Sequence, residues 1–190
     1  TELVDSHSWT AHAAITWGRC PDRVGAFAAT TLVTKGRANQ CSPLAAINEI
    51  ESSGGVPGDW IELHNPADVS IDVGGQIVRD SEDGRGYTIP AGTTIAAGGF
   101  LVIEESQLGF GLGGADAVRL FLADGTTLAD SYAWTAHAAT TYGRCPDGRG
   151  SIITTAAPTK GAANSCLPGS AFVRVNEVEA SGGVPGDWVE

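Results

Sequence analysis

Methionine is absent from the 190 residues, and lysine occurs only at Lys35 and Lys160, beside nine arginines. Without a methionine, residue 1 is not the product of a start codon, and the sequence reads as a piece processed or excised from a longer chain. Positive charge is scarce overall: 11 Lys and Arg stand against 22 Asp and Glu, a formal charge of −11. A surface of that sign repels phosphate backbones and anionic lipid, so the expectation is no nucleic-acid partner. Long apolar runs are missing too. The longest uncharged stretch, residues 86–103, is interrupted by Thr, Gly and Pro and fails as a membrane span, so no membrane insertion is expected. No Asn-x-Ser/Thr acceptor occurs. Nor does any ten-residue segment keep helical periodicity clear of the 26 glycines and nine prolines. What remains is 42% hydrophobic, ample for a packed core and too much for a disordered chain.

The sequence repeats itself. Residues 5–41 match residues 130–166 at 22 of 37 positions with an offset of 125. Residues 47–62 match residues 175–190 at 12 of 16 positions with an offset of 128. The expected organisation is therefore a tandem array. Residues 1–41 are the C-terminal part of a preceding repeat, 42–46 a linker, and 47–166 a complete domain. Residues 167–172 form a second linker, and 173–190 the N-terminal part of a following repeat. Counterparts of residues 64–129 are missing from both partial ends, so the two ends cannot rebuild one whole domain between them. Linkers this short keep neighbouring repeats closely juxtaposed.

The cysteines obey the same period. Cys20 and Cys41 are 21 apart, as are Cys145 and Cys166. Neither pair has zinc-ligand spacing. Two pairs at identical repeat positions argue for disulfides Cys20–Cys41 and Cys145–Cys166, the alternative being four reduced, buried thiols. Bridges of this kind belong to an oxidising compartment, here extracellular or at the cell surface.

The pattern along the complete repeat is β throughout. Strands are expected at 47–50, with the phase slipping at Asn48-Glu49 as at a bulge, and at 59–65. A third runs through 68–79, and shorter ones lie at 87–89 and 100–104. Residues 118–122 and 127–134 flank Asp124-Gly125, a hairpin turn that needs positive φ. Residues 140–144 are the last clear strand, and 173–175 open the following repeat. One short helix is expected at 105–110. Seven or eight short strands in about 120 residues point to an all-β sandwich.

Several ordered motifs resemble those of the lamin tail domain family, an immunoglobulin-like β-sandwich. They are I-N-E-I followed by G-D-W-I-E-L-H-N-P, the I-P-A-G-T-T-I-A-A-G-G-F-L-V-I block, the G-F-G-L-G-G-A-D-A-V-R-L-F block, and A-D-G-T-T-L-A-D-S-Y-A-W. The resemblance covers residues 46–147, and the tail through Cys166 is similar to an extension of bacterial members. Gly75-Gln76 departs from the family's usual Gly-Trp. The resemblance implies a fold, and interaction modules on filament or surface proteins, more than a chemistry.

Candidate chemistry is thin. Asp5, Ser6 and His7 are adjacent, but the second copy has Tyr132 in place of His7, and neighbours on a strand face opposite ways. No catalytic residue is expected. His12 and His137 recur alone and read as strand-end residues packed on an aromatic. Asp80, Glu82 and Asp83 are the candidate calcium ligands, calcium being the one cofactor considered, although a solvated acidic loop is the preferred reading. Glu49, Glu51, Asp59 and Glu62 read as a solvated face. Trp60 and its counterpart Trp188 sit opposite the Ile61/Leu63 face and should point outward. Each is then either covered by a loop of its own domain or is a contact to a neighbouring repeat or another copy. The function expected is a non-enzymatic extracellular structural or adhesive repeat module, a building block of a surface array or fibre. The alternative is an accessory module of a larger secreted hydrolase of nuclease or phosphatase type.

Overall fold

The computed structural model describes residues 5–13, 15–20, 23–36, 39–41, 43–166, 178–179 and 188–189. An antiparallel hairpin comes first, β1 (Thr16–Cys20) with β2 (Ala26–Thr30). The β-sandwich then follows with β3 (Ala46–Glu51), β4 (Trp60–His64), β5 (Ile71–Asp72), β6 (Ile77–Arg79) and β7 (Tyr87–Thr88). It continues with β8 (Thr94–Ile95), β9 (Phe100–Glu104), the one-turn helix α1 (Glu105–Leu108), β10 (Asp116–Phe121) and β11 (Leu128–Trp134). β12 (Tyr142–Cys145) and β13 (Ser151–Thr154) close it, and a second short hairpin pairs β14 (Val178–Glu179) with β15 (Trp188–Val189). No helix among the described residues is long and apolar enough to cross a membrane.

Two antiparallel sheets make the sandwich, ordered β13-β12-β3-β4-β9 and β11-β10-β6-β7. Alternation on the strands supplies the filling between them. Ile47, Ile50, Ile61, Leu63 and Ile103 come from the first sheet, and Val78, Val118, Leu120 and Trp134 from the second. Each fully buried aliphatic side chain contributes about 1.5–3 kcal/mol. The expected bulge is present: the β3–β4 register skips between Ile47 and Glu49, leaving Asn48 unpaired in the ladder. The hairpin turn after β10 uses Gly125 at φ 67°. The helix is shorter than expected. Its start is held by the Glu104 N–H, which donates to Gln107 Oε1 at 3.0 Å, and it ends at Gly109 in the left-handed region.

Two expectations need correcting. Residues 68–79 are not one strand. Gly75 at φ 80° turns the chain, so β5 pairs with β8 while β6 joins the four-stranded sheet. And residues 140–144 are not the last strand: β13 pairs with β12 from Tyr142↔Thr154 to Cys145↔Ser151. The strand expected at 173–175 lies outside the described residues.

Candidate functional site

The outer face of β3 and β4 carries Asn48, Glu49, Glu51, Trp60, Glu62 and His64, every one of them buried. A polar strand face reads as solvated from sequence. Here the chain after β12 folds back over it and makes a second layer outside the sandwich. Glu49 and Glu62, both 0% exposed, lie opposite each other across the β3–β4 ladder.

The donors come from far along the chain. Thr141 donates its hydroxyl to Glu49 Oε1. Thr159 donates its backbone N–H to both Glu49 oxygens (3.2 and 3.1 Å) and its hydroxyl to Oε2 (2.8 Å). Glu62 accepts from Asn48 Nδ2 at 2.9 Å and from the Gly161 N–H at 2.6 Å. Asn48 also donates to Asp147 Oδ1 (3.0 Å), accepts from the Gly148 N–H (2.9 Å), and gives its backbone oxygen to Asn164 Nδ2 (3.0 Å). Burial pushes the Glu62 carboxyl up to about 7 despite its hydrogen bonds, and burial also raises Glu49 and Glu51. The expectation that Glu49, Glu51 and Glu62 form a solvated face is therefore overturned. Asp59 is half-buried and accepts from the Leu112 N–H at 2.7 Å.

Two clamps hold this layer. Arg144 pairs with Asp130 at 2.7 Å and donates to the backbone oxygens of Ile47 (2.7 Å) and Gly150 (3.1 Å). The Cys145–Cys166 disulfide, with Cα atoms 5.9 Å apart, ties the end of the extension to β12. Small size matters where the strands cross. A Cβ on Gly143 would lie 2.5 Å from Thr155 Cγ2 and 2.9 Å from Asn164 Nδ2.

The same device is built a second time on β1 and β2. Cys20 bridges Cys41 with Cα atoms 5.6 Å apart, and Arg19 pairs with Asp5 and donates to Gly25 O at 2.9 Å. Asn39 donates to Arg19 O (3.3 Å), as Asn164 does to Arg144 O (2.9 Å). Both cysteine pairs expected from the spacing are thus bridged.

The other expected sites resolve as follows. Trp60 lies on the outer face and is only 2% exposed, because the loop around Lys160 of its own domain covers it, the first of the two alternatives expected. The Lys160 ammonium lies 5.5 Å from the ring centre and pairs with Glu104 at 2.7 Å. The side chain of Trp188 lies outside what is described. Asp80 is fully buried and pairs with Arg85, while Asp83 pairs with Arg119 at 2.7 Å, and Glu82 stands 3.8 Å from Arg85. These carboxylates face arginines, and among the described residues no three His, Cys, Asp or Glu gather as metal ligands would. Among the described residues no aromatic ring stacks on His137, which instead bonds Ser52 Oγ at 3.0 Å; His12 is exposed. His7 stacks on Phe27 with ring centres 4.1 Å apart, and Asp5 is engaged by Arg19, so no triad forms. A groove of about 620 Å³ runs between Thr34, Asn39, Gln40, Pro43 and Leu44 on one side and the loops around Asp72, Gln76 and Asp124 on the other; no His, Cys or Tyr is among its described lining residues.

The buried polar layer was the feature sequence reasoning missed. Its signal lay in the repeat: both copies keep Thr, Asn and Arg on the extension and Asn and Glu on the first hairpin.

A model of the Lamin Tail Domain family matches residues 43–136. That span stops before β12, so the bridged extension lies beyond the family match. No curated protein matches the chain. Over residues 43–136 the chain belongs to the lamin tail domain family, whose members are non-catalytic β-sandwich domains with interaction and structural roles.

Proposed function

We propose that this chain is a non-enzymatic extracellular module of a tandem array, with a structural or adhesive role at a cell surface. One observation carries the reading. The bridged hairpin folds twice, 125 residues apart, with matching registers: Trp17 pairs with Ala29 as Tyr142 pairs with Thr154. The head of the domain also folds twice, since Val178↔Val189 repeats Ile50↔Ile61. Chains that duplicate a sandwich and its clamp in this way build extended rows of beads joined by short linkers. The disulfides favour an oxidising compartment. In the described site every buried carboxylate oxygen of Glu49 and Glu62 is engaged by donors, which suits cohesion and leaves no base facing a substrate. Fractionation of the source cells tests this. The protein is expected in the extracellular or surface fraction, accessible to added protease and with all four thiols oxidised. Recovery in the cytosol with free thiols would end the reading.

A further inference from the structure

Gln76 is 8% exposed, and its Oε1 is buried without a hydrogen-bond partner. Buried acceptors in folded proteins nearly always meet a donor, so an orphan of this kind calls for one from outside the domain. The backbone holds the side chain where it is. Gly75 turns the chain at φ 80°, the Gln76 N–H donates to Val73 O at 3.2 Å, and the Gln76 carbonyl oxygen accepts from the Ile89 N–H at 2.9 Å. Gln76 lines the groove of about 620 Å³ beside Pro43 and Leu44.

The charge in that groove is of one sign. Asp72 and Asp124 are among its described lining residues, and no lysine or arginine is. Asp72 is exposed and gives Oδ1 to the Gly74 N–H at 2.8 Å, and no ion pair engages it among the described residues. Asp124 caps the β10–β11 turn, accepting from the Thr126 and Thr127 N–H groups at 2.8 and 2.7 Å. Leu44, Leu122 and Ala123 add an apolar wall. Two acceptors thus lie at different depths, the Asp72 carboxylate at the surface and Gln76 Oε1 beneath it.

We propose that this groove binds a basic side chain of a partner peptide, an ammonium or guanidinium group that enters end-on. The head donates to Gln76 Oε1 and to Asp72, and the methylene stem lies along Leu44 and Leu122. A cleft with an apolar wall and a few convergent polar groups is the usual form of such a site. The two carboxylates repel an anionic head, and a neutral one would forgo their charge. Such a site gives the domain a basic partner whether or not it is a unit of an array.

Calorimetry of the full oxidised chain tests this with four blocked tripeptides, Gly-X-Gly with X as arginine, lysine, citrulline or glutamate. The arginine and lysine peptides are expected to bind saturably at one site. Citrulline keeps the shape of arginine without its charge and should bind about tenfold more weakly or worse, and glutamate not at all. Gln76→Leu and Asp72→Asn should each weaken the basic peptides about tenfold or more. Glu82→Gln removes the same charge outside the groove and should leave binding unchanged. Asp72→Asn alters an exposed side chain and keeps an oxygen for Gly74, and Gln76→Leu removes an unpartnered oxygen, so both should melt no lower than the wild type. Basic peptides that bind both groove variants as they bind the wild type would show diffuse attraction to an acidic surface and overturn the site. So would equal binding of citrulline and arginine, or no saturable heat with either basic peptide.

Discussion

Glu62→Gln isolates the most unusual electrostatic feature of the outer layer. The Glu62 side chain is 0% exposed, is opposed across the ladder by Glu49, and has neutral donors as its hydrogen-bond partners, Asn48 Nδ2 and the Gly161 N–H. Burial lifts its carboxyl from an ordinary 4.5 to about 7. An acid whose folded value is raised binds its proton more tightly in the native state, so its contribution is whole below pH about 4.5. It is lost as pH rises through about 7. At 1.36 kcal/mol per unit, the loss amounts to about 3 kcal/mol. Gln cannot ionise and keeps the shape, so the variant lacks this decline. Denaturant unfolding followed by tryptophan fluorescence at several pH values from 4.5 to 8 reads it directly. Wild-type stability should fall relative to the variant by about 3 kcal/mol across that window. Two curves that run parallel would show that Glu62 ionises as an ordinary carboxylate, and the reasoning from burial would be refuted.

Removing the Cys145–Cys166 bridge by the double change to Ala should cost about 2–4 kcal/mol, read as a lowered melting temperature, with reductant doing the same to the wild type. Arg144→Ala strips three partners from the extension, Asp130, Ile47 O and Gly150 O, and leaves Asp130 facing an empty site. A loss of about 2–4 kcal/mol in unfolding free energy is expected, and a loss no larger than that of an exposed arginine would contradict the clamp. Gly143→Val places a branched side chain against Thr155 and Asn164 and should lower stability by about 1–3 kcal/mol; an unchanged denaturation midpoint would show that the crossing has slack. Added calcium should produce no saturable heat in calorimetry, because Arg85 and Arg119 already neutralise Asp80 and Asp83; a saturable heat would overturn that account of the loop.

Much of the sandwich was legible because its signals are local. Alternation marked β4, an apolar run too short for a helix marked β9, a phase slip marked the bulge at Asn48 on β3, and Asp124-Gly125 marked the β10–β11 turn. Self-comparison of the sequence exposed the repeat and, through it, both disulfides. The outer layer was not legible for a physical reason. Glu49 and Glu62 alternate with isoleucine and leucine as any solvent-facing residue on a half-buried strand would. Their partners Thr159 and Gly161 lie 110 and 99 positions away and reveal themselves only once the chain folds back. β13 was missed because Ser-Ile-Ile-Thr is short and bordered by glycine, and the break after β5 because two glycines inside 68–79 do not announce which sheet the chain enters next.

Electron microscopy of the native surface material bears most directly on the claim that this chain is a unit of a structural array. Linear particles with beads at a regular spacing of one sandwich are predicted. Isolated, unbeaded monomers in fresh preparations at high concentration would contradict it.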